Sequence, residues 1–342
     1  MMVNVMSKEG IIISVIGSTS LKGKVLLDEL PASGIELKDI KLLDEENLVG
    51  TLLKYDGGAE IFTRTTSESL QGSDLIFLCG SVSHSSECLE IIGDSRVPVI
   101  DLSGCSASDE GTAMATADLP LGRQPGCKVA LPESLAVGLA TILNACLGAG
   151  EIELASATCL VSVSDIGKKG SESLHSQLVE LMNFGNVPLD ILGRQLIFNI
   201  HPSFGEPGAQ GRSTFEEKIE SQVRHLLPQK DLPLVLSIAR VPLFFGTAVS
   251  LFIKFKGALS ESSLRDVLGS NAMIELSDAD LEANEIPSPL DASDKRVYQV
   301  GRLMAMGGKP SAFLLWFGFD NILRGAVLEA IELAKEMLTA TN

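Results

Sequence analysis

A chain of 342 residues, 45% hydrophobic and 21% charged, is long enough for two domains and a substantial buried core. Its formal net charge of -17 gives no long-range attraction to phosphate backbones or anionic lipid, which argues against nucleic-acid and membrane-surface roles and for a small-molecule or protein partner. The N-terminal MMVNVMSKEG lacks a charged-then-apolar signal pattern and no apolar run approaches the ~18 residues of a membrane span, so a cytoplasmic location is expected.

The first third alternates β-branched apolar runs with amphipathic stretches, the pattern of a doubly wound parallel α/β sheet. IIISVIG (11–17) is an apolar strand followed by a helix through KGKVLLDEL; IKLLD (40–44), DLIFLCG (74–80) and VPVIDLS (97–103) are further strands. Their unbroken Val/Ile/Leu runs suit strands buried on both faces. VALPESLAVGLA (129–140) starts as a strand, turns at Pro132 and continues as an apolar helix, so Glu133 and Ser134 lie at a turn where an enzyme can present a nucleophile. Beyond it the texture changes. Long strand candidates at 152–164, 232–246 and 248–257, with helices near 171–182 and 214–226, predict an α+β domain on an open sheet, a usual dimerisation surface. The Gly- and Pro-rich HPSFGEPGAQGRS (201–213) reads as a mobile or lid-like loop, and 320–338 as a helix that packs back onto the first domain.

The turn from Gly17 through Ser18, Thr19, Ser20 and Leu21 to Gly23 joins the first strand to the first helix, where a Gly-rich turn aims backbone N–H groups at a pyrophosphate. Gly17 and Gly23 take the outer glycine positions, but the middle one is Ser20, whose side chain narrows the approach of a phosphate. Either a dinucleotide binds here or the segment is a tight turn with no ligand. Asp44, Glu45 and Glu46 end the second strand; an acid there hydrogen-bonds a ribose 2′-OH and repels a 2′-phosphate, which favours NAD over NADP if a nicotinamide cofactor binds at all. A solvated acidic loop is the other reading. The six cysteines (Cys79, Cys88, Cys105, Cys127, Cys146 and Cys159) form no C-x-x-C pair, and neither they nor the four histidines show metal-ligand spacing. Free buried thiols and no metal are expected.

The order of VIGSTSLKG, FLCGSVSHSSE, VIDLSG, ALPESLAVG, SVSDIGKKG, RQLIFNI, ARVPLFFG, VYQVGRL and LWFGFDNILRGA resembles aspartate-semialdehyde dehydrogenases, particularly their Usg-type branch, over 11–337. The resemblance implies a Rossmann-like dinucleotide-binding domain (1–133 plus 318–342) with an inserted α+β substrate and dimerisation domain (134–317). It also implies reductive dephosphorylation of aspartyl phosphate with NADPH, through attack by a cysteine thiolate, hydride reduction of a thioester, and a histidine that handles protons.

Matched residue by residue, the nucleophile position holds Ser134 and the histidine position Thr247. An alkyl hydroxyl is far less acidic than a thiol and needs a base beside it, which threonine cannot be. The glutamine that orients the acyl intermediate is matched by Val161, the phosphate-gripping arginine by Ala107, and the asparagine beside the nucleophile by Glu133. That corner therefore repels anions. Arg240 matches the arginine that pairs with the substrate carboxylate, with a structural salt bridge as its other reading. Lys218 matches a pocket lysine, with Phe215 and Glu216 on paired acidic positions. Asn321, after Asp320, either touches a nicotinamide or caps the last helix. CGSVSHSS, with Gly80 and Ser81, resembles the loop bordering the cofactor. Cys159 or His201 stand as weaker substitutes for the missing groups.

Three functions remain open at this point. One is a dehydrogenase-like homodimer with a NAD, NADP or amino-acid pocket but no thioester chemistry, in which cofactor binding too is lost or kept. The second is an active oxidoreductase or hydrolase working through Ser134 or another residue. The third is a heterodimer partner of a complete dehydrogenase.

Overall fold

A computed structural model describes residues 10–45, 52–55, 58–116, 128–277, 285–307 and 311–340. Glu46 and Cys127 lie outside them. The chain forms two compact units, Met1–Pro132 with Val327–Asn342, and Glu133–Ala326.

The first unit is a Rossmann-like sheet. Its strands are β1 (Ile11–Ile16), β2 (Leu37–Asp44), a separate hairpin of β3 (Leu52–Tyr55) and β4 (Gly58–Ile61), then β5 (Thr63–Arg64), β6 (Leu75–Leu78), β7 (Val99–Asp101), β8 (Ala113–Met114) and β9 (Lys128–Ala130). Apart from the hairpin they run in the order β5-β2-β1-β6-β7-β9-β8, and every pairing is parallel. All four β6 residues and Ile13, Val15 and Ile16 of β1 are buried, which is why these strands read as continuous apolar runs. Buried Ser14 keeps its hydroxyl satisfied at 2.7 Å from that of Ser73. Strand order reverses between β1 and β6, the crevice where open α/β sheets hold ligands at their carboxyl ends. Two helices start at that end: α1 (Leu21–Glu29), capped by Ser20, and α2 (Val82–Ile92), capped by Ser81.

The second unit is built on a mixed sheet. Its strands are β10 (Ile152–Val161), β11 (Leu234–Arg240), β12 (Thr247–Phe255), β13 (Ile274–Leu276), β14 (Tyr298–Ala305) and β15 (Ala312–Phe319), ordered β11-β10-β12-β15-β14-β13. The β10–β11 and β13–β14 pairs are parallel and the others antiparallel. Its helices are α3 (Ser134–Leu147), α4 (Lys168–Met182), α5 (Thr214–Leu226) and α6 (Glu261–Gly269). Apolar on every side, α3 is buried along most of its length, and α5 and α6 pack against it. A capping box starts α5: Ser213 accepts from Glu216 N–H while the Glu216 carboxylate accepts from Ser213 N–H.

The periodic segment 320–338 is not one helix. Asp320 Oδ1 accepts the N–H groups of Ile322 and Leu323 at 2.9 and 2.8 Å, and its carbonyl takes Gly325 N–H at 2.9 Å, an i to i+5 bond that opens a π-helical turn over Leu323–Val327. Only then does α7 (Leu328–Ala340) begin, returning the chain to the first unit. Residues 318–326 belong to the second unit because Phe319 pairs with Thr247 and Asn321 bonds Ser164 and Gly246. No helix among the described residues is long and apolar enough to cross a membrane.

Candidate functional site

In the first unit the turn after β1 touches the end of β6. Gly17 has φ +77°, and a Cβ on it would lie 2.3 Å from Gly80 N, so only glycine permits this approach. A Cβ on Gly23 would lie 2.4 Å from the Gly17 carbonyl oxygen, which makes glycine the residue that lets α1 start so close to the strand.

The donors of this turn are mostly in use. Gly17 N–H and Thr19 N–H donate to Leu43 O and Asp44 Oδ2 at 2.9 and 2.8 Å, Ser20 N–H to Gly17 O at 3.0 Å, and Gly23 N–H to Ser20 Oγ at 2.9 Å. Ser18 is buried, with its hydroxyl on Leu43 O. Ser20, which stands at the middle glycine position, thus works as a helix cap. The N–H groups of Leu21 and Lys22, at the first two positions of α1, have no partner among the described residues. The Lys22 ammonium reaches Leu102 O at 2.5 Å, just past the end of β7. Two free N–H groups and an ammonium at the carboxyl edge of a parallel sheet fit a phosphate.

Buried Asp44 ends β2, with Glu45 N–H on its other oxygen at 2.9 Å. It lines a cavity of about 470 Å³ together with Glu45, Arg64, Ser83, His84 and Glu87. The cavity therefore carries one guanidinium among three carboxylates.

In the second unit the sheet brings four sequence-distant positions into one row. Val161 pairs with Arg240 on one side and Thr247 on the other, and Thr247 pairs with Phe319. Directly opposed residues share a sheet face. Ser134 is tied to the row through Gly325, where a Cβ would lie 2.7 Å from Ser134 Cβ and 3.0 Å from the Phe319 ring. Among the described residues the Ser134 hydroxyl has no hydrogen-bond partner.

The charged residues around Ser134 are paired with each other. Glu133 N–H donates to Gln222 Oε1 at 2.9 Å, and its carboxylate takes Lys218 Nζ at 2.5 Å. Arg240 Nη2 donates to Asp165 Oδ2 at 2.8 Å, and the guanidinium lies 3.8 Å over the Phe204 ring, which in turn packs on Phe215 at 5.0 Å. Burial pushes the Asp165 carboxyl above its usual range; Arg240 pulls it back and the Glu133 charge adds to the rise. Glu133 directly precedes Ser134, and Arg240 stands in the row that Phe319 and Gly325 tie to Ser134, so both ion pairs border the same positions. Arg240 is therefore a member of a salt bridge rather than a free cation.

Glu216 faces backbone instead of a ligand: Oε2 accepts Ser213 N–H at 2.8 Å and Oε1 accepts Ile238 N–H at 3.0 Å. Buried Asn321 accepts Gly246 N–H at 3.0 Å and bonds the Ser164 hydroxyl. Cys159 is buried within β10, and desolvation with the Glu216 charge pushes its thiol well up, so it does not replace the nucleophile. His201 is buried, its backbone bridged to Arg240 and its ring bonded to Gln195 O, and burial lowers its pKa. Sequence reasoning missed Asp165, Phe204, Gln222 and Gly325. The acid inside SVSDIGKKG was the one visible signal among them.

A parallel Rossmann-like sheet with an inserted α+β unit is the fold of the semialdehyde dehydrogenases. Residues 143–324, more than half of the chain, match the family described as "Semialdehyde dehydrogenase, dimerisation domain". The chain belongs to that family. It is 24% identical over 330 residues to an aspartate-semialdehyde dehydrogenase of Prochlorococcus marinus, covering 96% of each chain. It is also 24% identical over 330 residues to a USG-1 protein homolog of Pseudomonas aeruginosa, covering 95% of this chain and 97% of the relative. Among solved structures, a probable aspartate-semialdehyde dehydrogenase from Pseudomonas aeruginosa superposes with a TM-score of 0.87 at 23% identity, covering 97% of this chain and all (100%) of the other. A Candida albicans aspartate semialdehyde dehydrogenase solved with NADP gives 0.71 at 16% identity, covering 97% and 99%.

Proposed function

We propose that this protein keeps the dehydrogenase scaffold, its dimer and a dinucleotide pocket but carries out no thioester chemistry. One observation carries the reading: Ser134 has no hydrogen-bonded base, and the position of the base, Thr247, is a buried threonine opposite Val161. A serine hydroxyl without a base is not a nucleophile near neutral pH. Lys218 is paired with Glu133 and so is not free to draw in an acyl phosphate. Phosphate-dependent NAD(P)H formation from aspartate semialdehyde, run beside Ser134→Ala, tests this. No turnover is expected, and serine-dependent turnover would establish the active-oxidoreductase reading instead.

The dinucleotide we assign is NAD rather than NADP, because Asp44, Glu45 and Glu87 outnumber Arg64 in the cavity at the end of β2. The Candida relative solved with NADP makes the opposite preference the outcome to look for. Parallel titrations with both decide. Lys22→Met is expected to weaken binding by about tenfold and to flatten its salt dependence, as loss of one phosphate-contacting cation does. A homodimer formed through the second unit, which the family's dimerisation domain supports, and a cytoplasmic location complete the reading. Light scattering reads the mass, and co-purification with a complete dehydrogenase would favour the heterodimer.

A further inference from the structure

We propose that Asp165 determines what the second-unit site accepts: its carboxylate occupies Arg240 in place of a ligand's carboxylate, and so closes the site to small acids near neutral pH. Arg240 ends β11 in the row with Val161 and Thr247. The Nε and Nη2 of an arginine lie on one edge and form a fork that matches the two oxygens of a carboxylate. Here only Nη2 is answered, by Asp165 Oδ2 at 2.8 Å, while Nε is buried with no hydrogen-bond partner. Buried donors are rarely left idle, so the half-used fork is the mark of a two-oxygen acceptor replaced by a single internal oxygen. Phe204 covers one face of the guanidinium, which leaves the edge as the route to it.

Displacing Asp165 would be costly. The Arg240 and Asp165 side chains are 11% and 18% exposed, and the charged groups facing Asp165 are Arg240 from β11 and Glu133 from the start of α3. A ligand carboxylate that took Arg240 would leave the largely buried Asp165 side chain without its partner and near the Glu133 charge, a cost that opposes the exchange. Glu133 answers Lys218 in the same way at 2.5 Å. The four groups sum to zero charge, so the site as folded suits an uncharged ligand. Protonation of Asp165, whose carboxyl burial holds above its usual range, releases the fork, and acid binding grows as pH falls.

The inference deepens the reading of this unit as a former acyl site, yet is separable from it, because binding is measured without turnover. The full chain and its Asp165→Asn variant are titrated calorimetrically with L-aspartate near neutral pH, and both again about two pH units lower. The variant is expected to bind at least about tenfold more tightly than the wild type, the gain to vanish in Asp165→Asn/Arg240→Met, and Asp165→Glu to stay closed. Affinity should rise at the lower pH by more in the wild type than in Asp165→Asn, because protonation of His201, whose backbone bridges Arg240, acts on both alike. Equal affinity of wild type and Asp165→Asn, a gain that survives loss of Arg240, or a rise at the lower pH no larger in the wild type than in Asp165→Asn would each overturn the assignment. Serine-dependent turnover of aspartate semialdehyde, which carries a carboxylate, would sink the proposed function and count against closure as well, whereas equal affinities of wild type and Asp165→Asn would overturn closure alone.

Discussion

Val161 and Thr247 stand directly opposite each other on β10 and β12, and the same row continues to Arg240 on one side and Phe319 on the other. These are the positions at which the resemblance puts a glutamine and the base. Val161 offers no hydrogen bond there, and the Thr247 hydroxyl takes up no proton near neutral pH. Ser134→Cys alone is therefore expected to give no aspartate-semialdehyde turnover above wild type. A thiol has an ordinary pKa near ~8.5, and the Glu133 carboxylate beside it disfavours the thiolate. Robust turnover from the single change would show that the surroundings of residue 134 are intact.

Asn321→Ala should cost stability rather than ligand affinity. Buried Asn321 ties the exit of β10 at Ser164 to the Gly246 turn, and its loss leaves the Gly246 N–H and the Ser164 hydroxyl without their partner. Unmade buried hydrogen bonds of this kind predict a loss of about 2–4 kcal/mol, read from urea unfolding. A loss within a few tenths of a kcal/mol would mean that water replaces the amide.

Two glycines with similar backbone separate strain from contact. Gly17 has φ +77° with Gly80 N 2.3 Å from its would-be Cβ, while Gly34 has φ +83° with nothing within 4 Å. Gly34→Ala should cost about 1 kcal/mol and Gly17→Ala at least about 3 kcal/mol, since the latter must also push the β1 and β6 ends apart. Equal costs would show that the β1–β6 crevice yields easily. Dinucleotide binding should be lost only in the Gly17 variant.

Thiol labelling should follow burial. Desolvation pushes Cys79 and Cys146 up to about 12 and half-buried Cys105 up to about 11, against the pull of Lys22 on Cys79 and of Ser103 on Cys105. At mildly alkaline pH Cys105 is expected to react first of these three, faster as pH rises because the thiolate is the reacting form, and Cys79 and Cys146 only on unfolding. Peptide mapping by mass spectrometry identifies the sites. Prompt labelling of Cys146 in native protein would contradict the packing of α3.

Much of the scaffold could be read from local pattern. β1 and β6 show as apolar runs because a parallel strand in the middle of a sheet is buried on both faces; that Ser20 and Ser81 cap helices emerged only from the structure. The reading of a single helix over 320–338 came from taking apolar periodicity across a segment where Asp320 imposes a π turn. Periodicity reports which side is buried, and a wider turn keeps nearly the same side buried.

By itself, then, the amino-acid sequence determined the two-part architecture and the family, because residue identity and short-range period are written along the chain. Only the tertiary structure decided what became of the groups that remained. Arg240 meets Asp165 from 75 positions away and Lys218 meets Glu133 from 85, and Glu216 and Asn321 turn to backbone and side-chain partners far along the chain. An ion pair's partner is chosen by which strands lie side by side and how dry the space between them is, and neither is legible until the sheet has formed.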